Sequence, residues 1–125
     1  MGKSSDFDDM EELNMLKQHV FVVMTKPVAG REAEYNDWYS NQHLRDVLKV
    51  QGFKTAQRFK LAPDDESAQF RYLAIYEFEG ASAAEAMAQL QGIAGTPEMV
   101  MSESMDMQAV SAQIWEAITD KQHAV

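Results

Sequence analysis

The residues best suited to chemistry fall in one short stretch, Tyr35 to Phe53, which reads YNDWYSNQHLRDVLKVQGF. Tyr35, Trp38 and Tyr39 crowd little more than one helical turn, and His43 follows four residues after Tyr39. A histidine with an unperturbed pKa near ~6.5 takes up and releases a proton at neutral pH. A tyrosine one turn earlier can orient it, or donate a hydrogen bond to an oxygen on which negative charge develops. Proton transfer on a small molecule is the chemistry this pair suits. The plain alternative is that His43 caps a helix C-terminus, where positive charge is favoured, and that Tyr35 and Trp38 are core packing.

At about 100° per residue, Tyr35, Trp38, Tyr39, Gln42 and His43 share one arc of about 140°, whereas Leu44, Val47 and Leu48 lie opposite. One straight helix cannot bury both sets, so a bend or restart near His43 is expected. It would leave the aromatic set facing a sheet and His43 near a rim. Two strands supply further candidates. Tyr72 and Tyr76 flank Ala74 on one strand face, where their hydroxyls could orient a carbonyl or a phenol. Arg58 is a better carboxylate anchor than Gln57 on the opposite face, but a solvated edge arginine is the favoured reading. The candidate set is therefore His43 and Tyr39 as catalytic residues, with Tyr35, Trp38, Tyr72, Tyr76 and Arg58 as substrate-binding residues.

The elements that must hold these residues follow from period and punctuation. His19–Thr25 (HVFVVMT) is rich in β-branched and aromatic residues and reads as a buried strand. Pro27 and Gly30 break it, and a helix starts near Arg31. In 52–62 (GFKTAQRFKLA) Phe53, Thr55, Gln57, Phe59 and Leu61 point one way, and Lys54, Ala56, Arg58 and Lys60 the other. Residues 63–67 are a turn. In 70–78 (FRYLAIYEF) Phe70, Tyr72, Ala74, Tyr76 and Phe78 share a face. Ser82, with Glu85 three residues on, caps a second helix to about Gln91. Residues 92–109 hold four methionines without a clean period, and 110–119 (VSAQIWEAIT) reads as a last strand.

That order is β-α-β-β-α-β, the ferredoxin-like α+β arrangement, with a four-stranded antiparallel sheet and both helices on one face. The domain spans 19–119, between an acidic leader (1–18), read as a loose tail, and a short C-terminal tail (120–125). Both faces of the third strand are apolar. The expected solution is a homodimer, a dimeric α+β barrel in which two sheets pair and share an apolar chamber with His43 at its mouth. The methionines of 99–107 either leave that chamber open or fill it.

Composition removes several function classes. The 125 residues carry a formal net charge of -9, which argues against phosphate-backbone binding and against docking on an anionic membrane. No nucleic acid and no membrane partner is expected. There are no cysteines, so thiolate catalysis, disulfides and zinc–thiolate sites are excluded, and a cytoplasmic setting fits. The three histidines, His19, His43 and His123, are scattered without metal-ligand spacing. No metal and no cofactor is expected, although His43 is a conceivable haem ligand. Nine methionines are explained by adaptable packing.

The run WYSNQHLRDVLKVQGFKTAQRF, Trp38 to Phe59, resembles the EthD-like group of dimeric α+β barrel proteins. Trp38, Tyr39, His43, Gly52 and Phe53 match that pattern, while Gln51 stands where proline is usual. The resemblance extends over roughly 19–119, but only this stretch is distinctive. It implies the fold and the dimer more firmly than an activity, because the superfamily includes muconolactone isomerases, polyketide cyclases and decarboxylases, cofactor-free monooxygenases and haem-handling proteins. The leading expectation is a cofactor-independent enzyme acting on a small aromatic or polyketide-like molecule, an isomerase, cyclase or lyase using His43 as general acid/base. The alternatives are a cofactor-free monooxygenase and a non-catalytic, stress-associated dimer that binds a small ligand.

Overall fold

The computed structural model describes residues 17–80 and 82–125; the leader lies largely outside them. Four strands, β1 (Lys17–Pro27), β2 (Phe53–Lys60), β3 (Tyr72–Gly80) and β4 (Met105–Glu116), form one sheet in the order β2-β3-β1-β4. Every pairing is antiparallel. Between β1 and β2 run α1 (Glu32–Trp38), a π-helical turn (Tyr39–His43) and α2 (Leu44–Val47). Between β3 and β4 runs α3 (Ala83–Ile93), whose Ser82 hydroxyl accepts from the Glu85 N–H at 3.2 Å. The expected βαββαβ order and sheet are present.

The helices cover one sheet face. Tyr72, Ala74, Tyr76 and Phe78 are buried on that face of β3. They stand opposite Thr25, Val23, Phe21 and His19 of β1. The alternation expected for β3 holds from Tyr72 to Phe78, while Phe70 lies before the strand. For β2 it fails at one place. The register slips between Phe53 and Thr55, so Lys54 is an extra residue and Phe53 pairs with Phe78 while Thr55 pairs with Glu77. An extra residue in one strand switches the face of everything beyond it. Phe53 therefore joins Ala56, Arg58 and Lys60 on the helix side, and stacks on Phe78 at 4.8 Å, while Thr55, Gln57 and Phe59 turn to the far side.

The last strand begins at Met105, five residues before the expected Val110, and ends at Glu116. Its length is set by its partner. Met105 pairs with Pro27 across an irregularity, His19 pairs with Glu116, and the Ala117 N–H to Gln18 O bond at 2.8 Å is the last rung. Methionine is a good helix former, which masks a strand start in single-sequence patterning.

The chain enters β2 through Gly52, whose φ is +92°. A Cβ there would stand 2.5 Å from the Glu79 carbonyl oxygen, and the Glu79 N–H donates to Gly52 O at 2.9 Å. Only glycine meets both demands. At Gly30 φ is +81° but no atom lies within 4 Å of an added Cβ. Gly52→Ala is expected to cost roughly 2–4 kcal/mol, left-handed strain of ~1–2 kcal/mol plus a backbone clash, and Gly30→Ala the strain alone. Urea unfolding of both variants measures the difference; equal losses would show that the close approach to Glu79 carries no weight.

Candidate functional site

The helix break expected near His43 is a π turn. The Leu44 N–H bonds the Tyr39 carbonyl five residues back, and such turns take more residues than an α-turn. The geometric consequence is a stripe. In a regular α-helix each four-residue step overshoots a full turn by about 40°, and three steps drift by about 120°. The wider turn winds part of that back, so Tyr35, Tyr39, His43 and Val47 are all buried. Val47, expected on the opposite side, joins the core, whereas Leu48 is 36% exposed.

His43 is not at a rim. It is 8% exposed, stacked on Trp38 at 4.6 Å and met edge-on by Tyr39 at 5.0 Å. Burial pushes its pKa down to about 4, against an opposing pull from the Asp46 carboxylate. Asp46 is itself buried and paired with Lys49 at 3.2 Å. The imidazole is therefore neutral at pH 7, and its Nδ1 is buried without a hydrogen-bond partner. A neutral ring with its proton on Nε2 presents Nδ1 as a free acceptor.

Against His43 lies a cavity of about 380 Å³ between sheet and helices. Tyr39, His43 and Val47 form part of its wall, and Phe21, Thr25 and Tyr76 its floor; Met99, Met101, Met105 and Met107 line it too. The methionines border the space and leave it open. The segment that carries the first two is fastened over the helix: Trp38 Nε1 donates to Val100 O at 3.0 Å, Arg31 to Glu103 O at 3.2 Å, and Val28 N to Ser104 O at 2.7 Å. Tyr76 Oη, like His43 Nδ1, is buried with no partner in hydrogen-bond geometry, although the Tyr39 hydroxyl lies close enough to Tyr76 Oη to influence it. Burial, largest among several causes, pushes the Tyr39 pKa up to about 12 and that of Tyr76 further up. Both are neutral donors at physiological pH. A second cleft of about 400 Å³ at the foot of the sheet, beside Lys54, Glu77 and Trp115, contains no such orphaned group.

The remaining candidates stand behind this wall. Tyr35 is fully buried, its hydroxyl bonded to Thr25 Oγ1. Tyr72 Oη donates to Glu32 Oε2 at 3.1 Å and accepts from Asn36 at 3.3 Å. Arg58 is not a solvated edge residue. Its Cζ sits 4.6 Å from the Tyr39 ring centre and 5.3 Å from those of Tyr35 and Tyr72. Nη1 donates to Ser40 Oγ at 2.8 Å and Nη2 to Asn36 Oδ1 at 2.9 Å. Of the seven sequence candidates, the fold brings His43, Tyr39 and Tyr76 to the cavity, while Tyr35, Trp38, Tyr72 and Arg58 do not line it. The sequence reading missed Asp46 and Thr25. It also placed the chamber between two subunits, whereas this cavity lies within one. Phase explains the difference: the strand face that carries Tyr76 is the one under the helices.

A family model described as Domain of unknown function (DUF4286) matches residues 18–94. The chain belongs to that family. The match takes in β1 to α3, including every helical residue of the site. A relative named Core atranone cluster (CAC) protein 1, from Stachybotrys chlorohalonatus (strain IBT 40285), is 40% identical over 58 residues. That segment is 45% of this chain and 24% of the relative's length. Among solved structures, a candidate monooxygenase from Shewanella loihica PV-4 superposes with a TM-score of 0.57 at 14% identity, covering 83% of this chain and 97% of that one. An ethyl tert-butyl ether D (EthD) family protein from Bacillus halodurans C-125 is 10% identical, covering 82% of this chain and 100% of that one, with a TM-score of 0.49. The likeness to the Shewanella structure is one of fold.

The buried imidazole makes stability pH-dependent. Its folded pKa of about 4 lies below the reference 6.5, so within that window the unfolded chain binds more protons and stability falls as pH falls. The loss is roughly 3 kcal/mol by pH 4, at ~1.36 kcal/mol per pKa unit. Glu34, Asp64, Asp65 and Glu116, held low by their hydrogen-bond partners, also lose their contribution in acid. Comparison with His43→Phe isolates the histidine: urea unfolding between pH 7 and 4 should show a shallower loss in the variant, and parallel curves would contradict a buried neutral ring.

Proposed function

We propose that this protein is a cofactor-independent enzyme that moves a proton on a small aromatic or polyketide-like molecule held in the cavity. His43 acts as general acid/base, in an isomerisation, cyclisation or elimination, and the Tyr39 and Tyr76 hydroxyls face the oxygen that gains charge. One observation carries the reading: His43 and Tyr76, whose Nδ1 and Oη are buried without a partner in hydrogen-bond geometry, both line an open apolar cavity. An unsatisfied buried polar group costs about 1–3 kcal/mol, and folded proteins keep few of them. A ligand with an acidic proton and an adjacent oxygen would satisfy both once the two side chains turn toward it. The volume lies in the ~300–1,000 Å³ range of small-molecule sites. A relative named for an atranone cluster is in keeping with small-molecule work.

The same reading pairs two copies through the far sheet face. Val20, Val22, Met24, Leu73 and Ile75 are only half-covered there, and Phe59 and Trp115 are 42% and 56% exposed. Contiguous apolar surface of this kind marks an interaction site, and a second copy gives a closed two-fold arrangement. The setting is the cytoplasm, which suits a chain without cysteine.

Deuterium exchange tests the chemistry without a known substrate. Enolisable bicyclic ketones such as 2-tetralone, followed by NMR in D2O, should exchange their α-protons faster with the native protein. His43→Phe should lose about 10²–10⁴-fold of that acceleration while keeping its circular dichroism. A ketone that binds but exchanges at the same rate with either protein would identify a non-catalytic binder. Light scattering should give the mass of two chains for the native protein and of one for Phe59→Glu; a native monomer at micromolar concentration would refute the pairing.

A further inference from the structure

Arg58 differs from the other arginines that hold the fold. Arg31 pairs with Glu34, and Arg71 with Glu32 and Asp64. Among the described residues Arg58 has no carboxylate partner. Its two bonded nitrogens reach only neutral oxygens, on Ser40 and Asn36, and its buried Nε has no partner. Arg58 is half-buried; even partial removal of a cation from water without a counter-charge has a cost, and ring faces compensate only in part. Its nearest ring is Tyr39 at 4.6 Å, which also meets His43 at 5.0 Å and lines the cavity.

His43 poses the complementary problem. A buried imidazole with so low a proton affinity cannot keep a proton taken from a weak oxygen acid unless the anion left behind is stabilised. Asp46, the carboxylate beside it, is already paired with Lys49. The other titratable neighbours, Tyr35, Tyr39 and Tyr76, are neutral. Arg58 supplies the missing positive charge, from behind Tyr39 and without touching the ligand. Its field also pulls the hydroxyls of Tyr35, Tyr39 and Tyr76 toward greater acidity, against their burial.

We infer that the cavity takes an ionisable phenol or enol and holds it as the oxyanion, with Arg58 as a positioning charge acting through Tyr39. The step is a proton transfer. The ligand O–H bond breaks, an N–H bond forms on the His43 imidazole, and the electron pair stays on the ligand oxygen. Anion and imidazolium form together, so the cavity gains no net charge. The inference rests on the cavity being the ligand site, and it adds the ligand's acidity and charge state.

4-Nitrophenol is a suitable probe, because its phenolate absorbs at a longer wavelength than the phenol. Titrated spectrophotometrically with native protein, its bound pKa should fall about one unit or more below the free value, a preference of about tenfold for the anion. Arg58→Met should remove that shift and Arg58→Lys retain part of it. A structural role alone would weaken binding of both forms equally. 4-Nitroanisole, which has no acidic proton, should bind the native protein at least tenfold more weakly, a comparison that needs no variant. An unshifted bound pKa, equal binding of the anisole, or a full shift in folded Arg58→Met overturns the inference while leaving the cavity as a ligand site. Failure of both probes to bind the native protein overturns the reading of the cavity and this inference with it.

Discussion

The site depends on one constraint: a short helix must bury four large side chains, Tyr35, Tyr39, His43 and Val47, against a twisted sheet. An uninterrupted α-helix would turn the last of them away from the sheet. The π turn at Tyr39–His43 corrects that drift. The turn thus serves packing, and such insertions are frequent at functional sites. Trp38, stacked on His43 and bonded to Val100 O, ties the turn to the segment that roofs the cavity.

Around that turn the protein separates charge from cavity. Arg58, under three tyrosine rings, lies on the helix side of β2 only because Lys54 is an inserted residue. The cavity wall itself is neutral: methionines, aliphatics, two tyrosines and an uncharged imidazole. Low polarity strengthens any electrostatic term acting across it. The same low polarity keeps His43 unprotonated. Thioethers adapt to irregular shapes, and four methionines line this wall.

The fold was readable because its signals are local and repeated. The alternation of Tyr72, Ala74, Tyr76 and Phe78 survives intact, Ser82 caps as its type predicts, and Gly52 marks the turn into β2. The site was only partly readable. His43, Tyr39 and Tyr76 reach the cavity, whereas Tyr35 and Tyr72 are held beneath α1 by Thr25 and by Glu32 and Asn36. Sequence periodicity places residues on faces but not at depths along them. Met105 and Met107 belong to a strand that their residue type disguises, although their two-residue spacing is a strand period.

The amino-acid sequence by itself determined the order of elements, the aromatic face of β3 and the need for a break near His43. Each follows from spacing along a few consecutive residues. Only the tertiary structure decided the face of Arg58, the start of β4, the neutrality of His43 and the position of the cavity inside one subunit. These depend on register between distant strands and on burial by segments far along the chain. One inserted residue in β2 reverses a face, and burial in the folded subunit sets the proton affinity of His43.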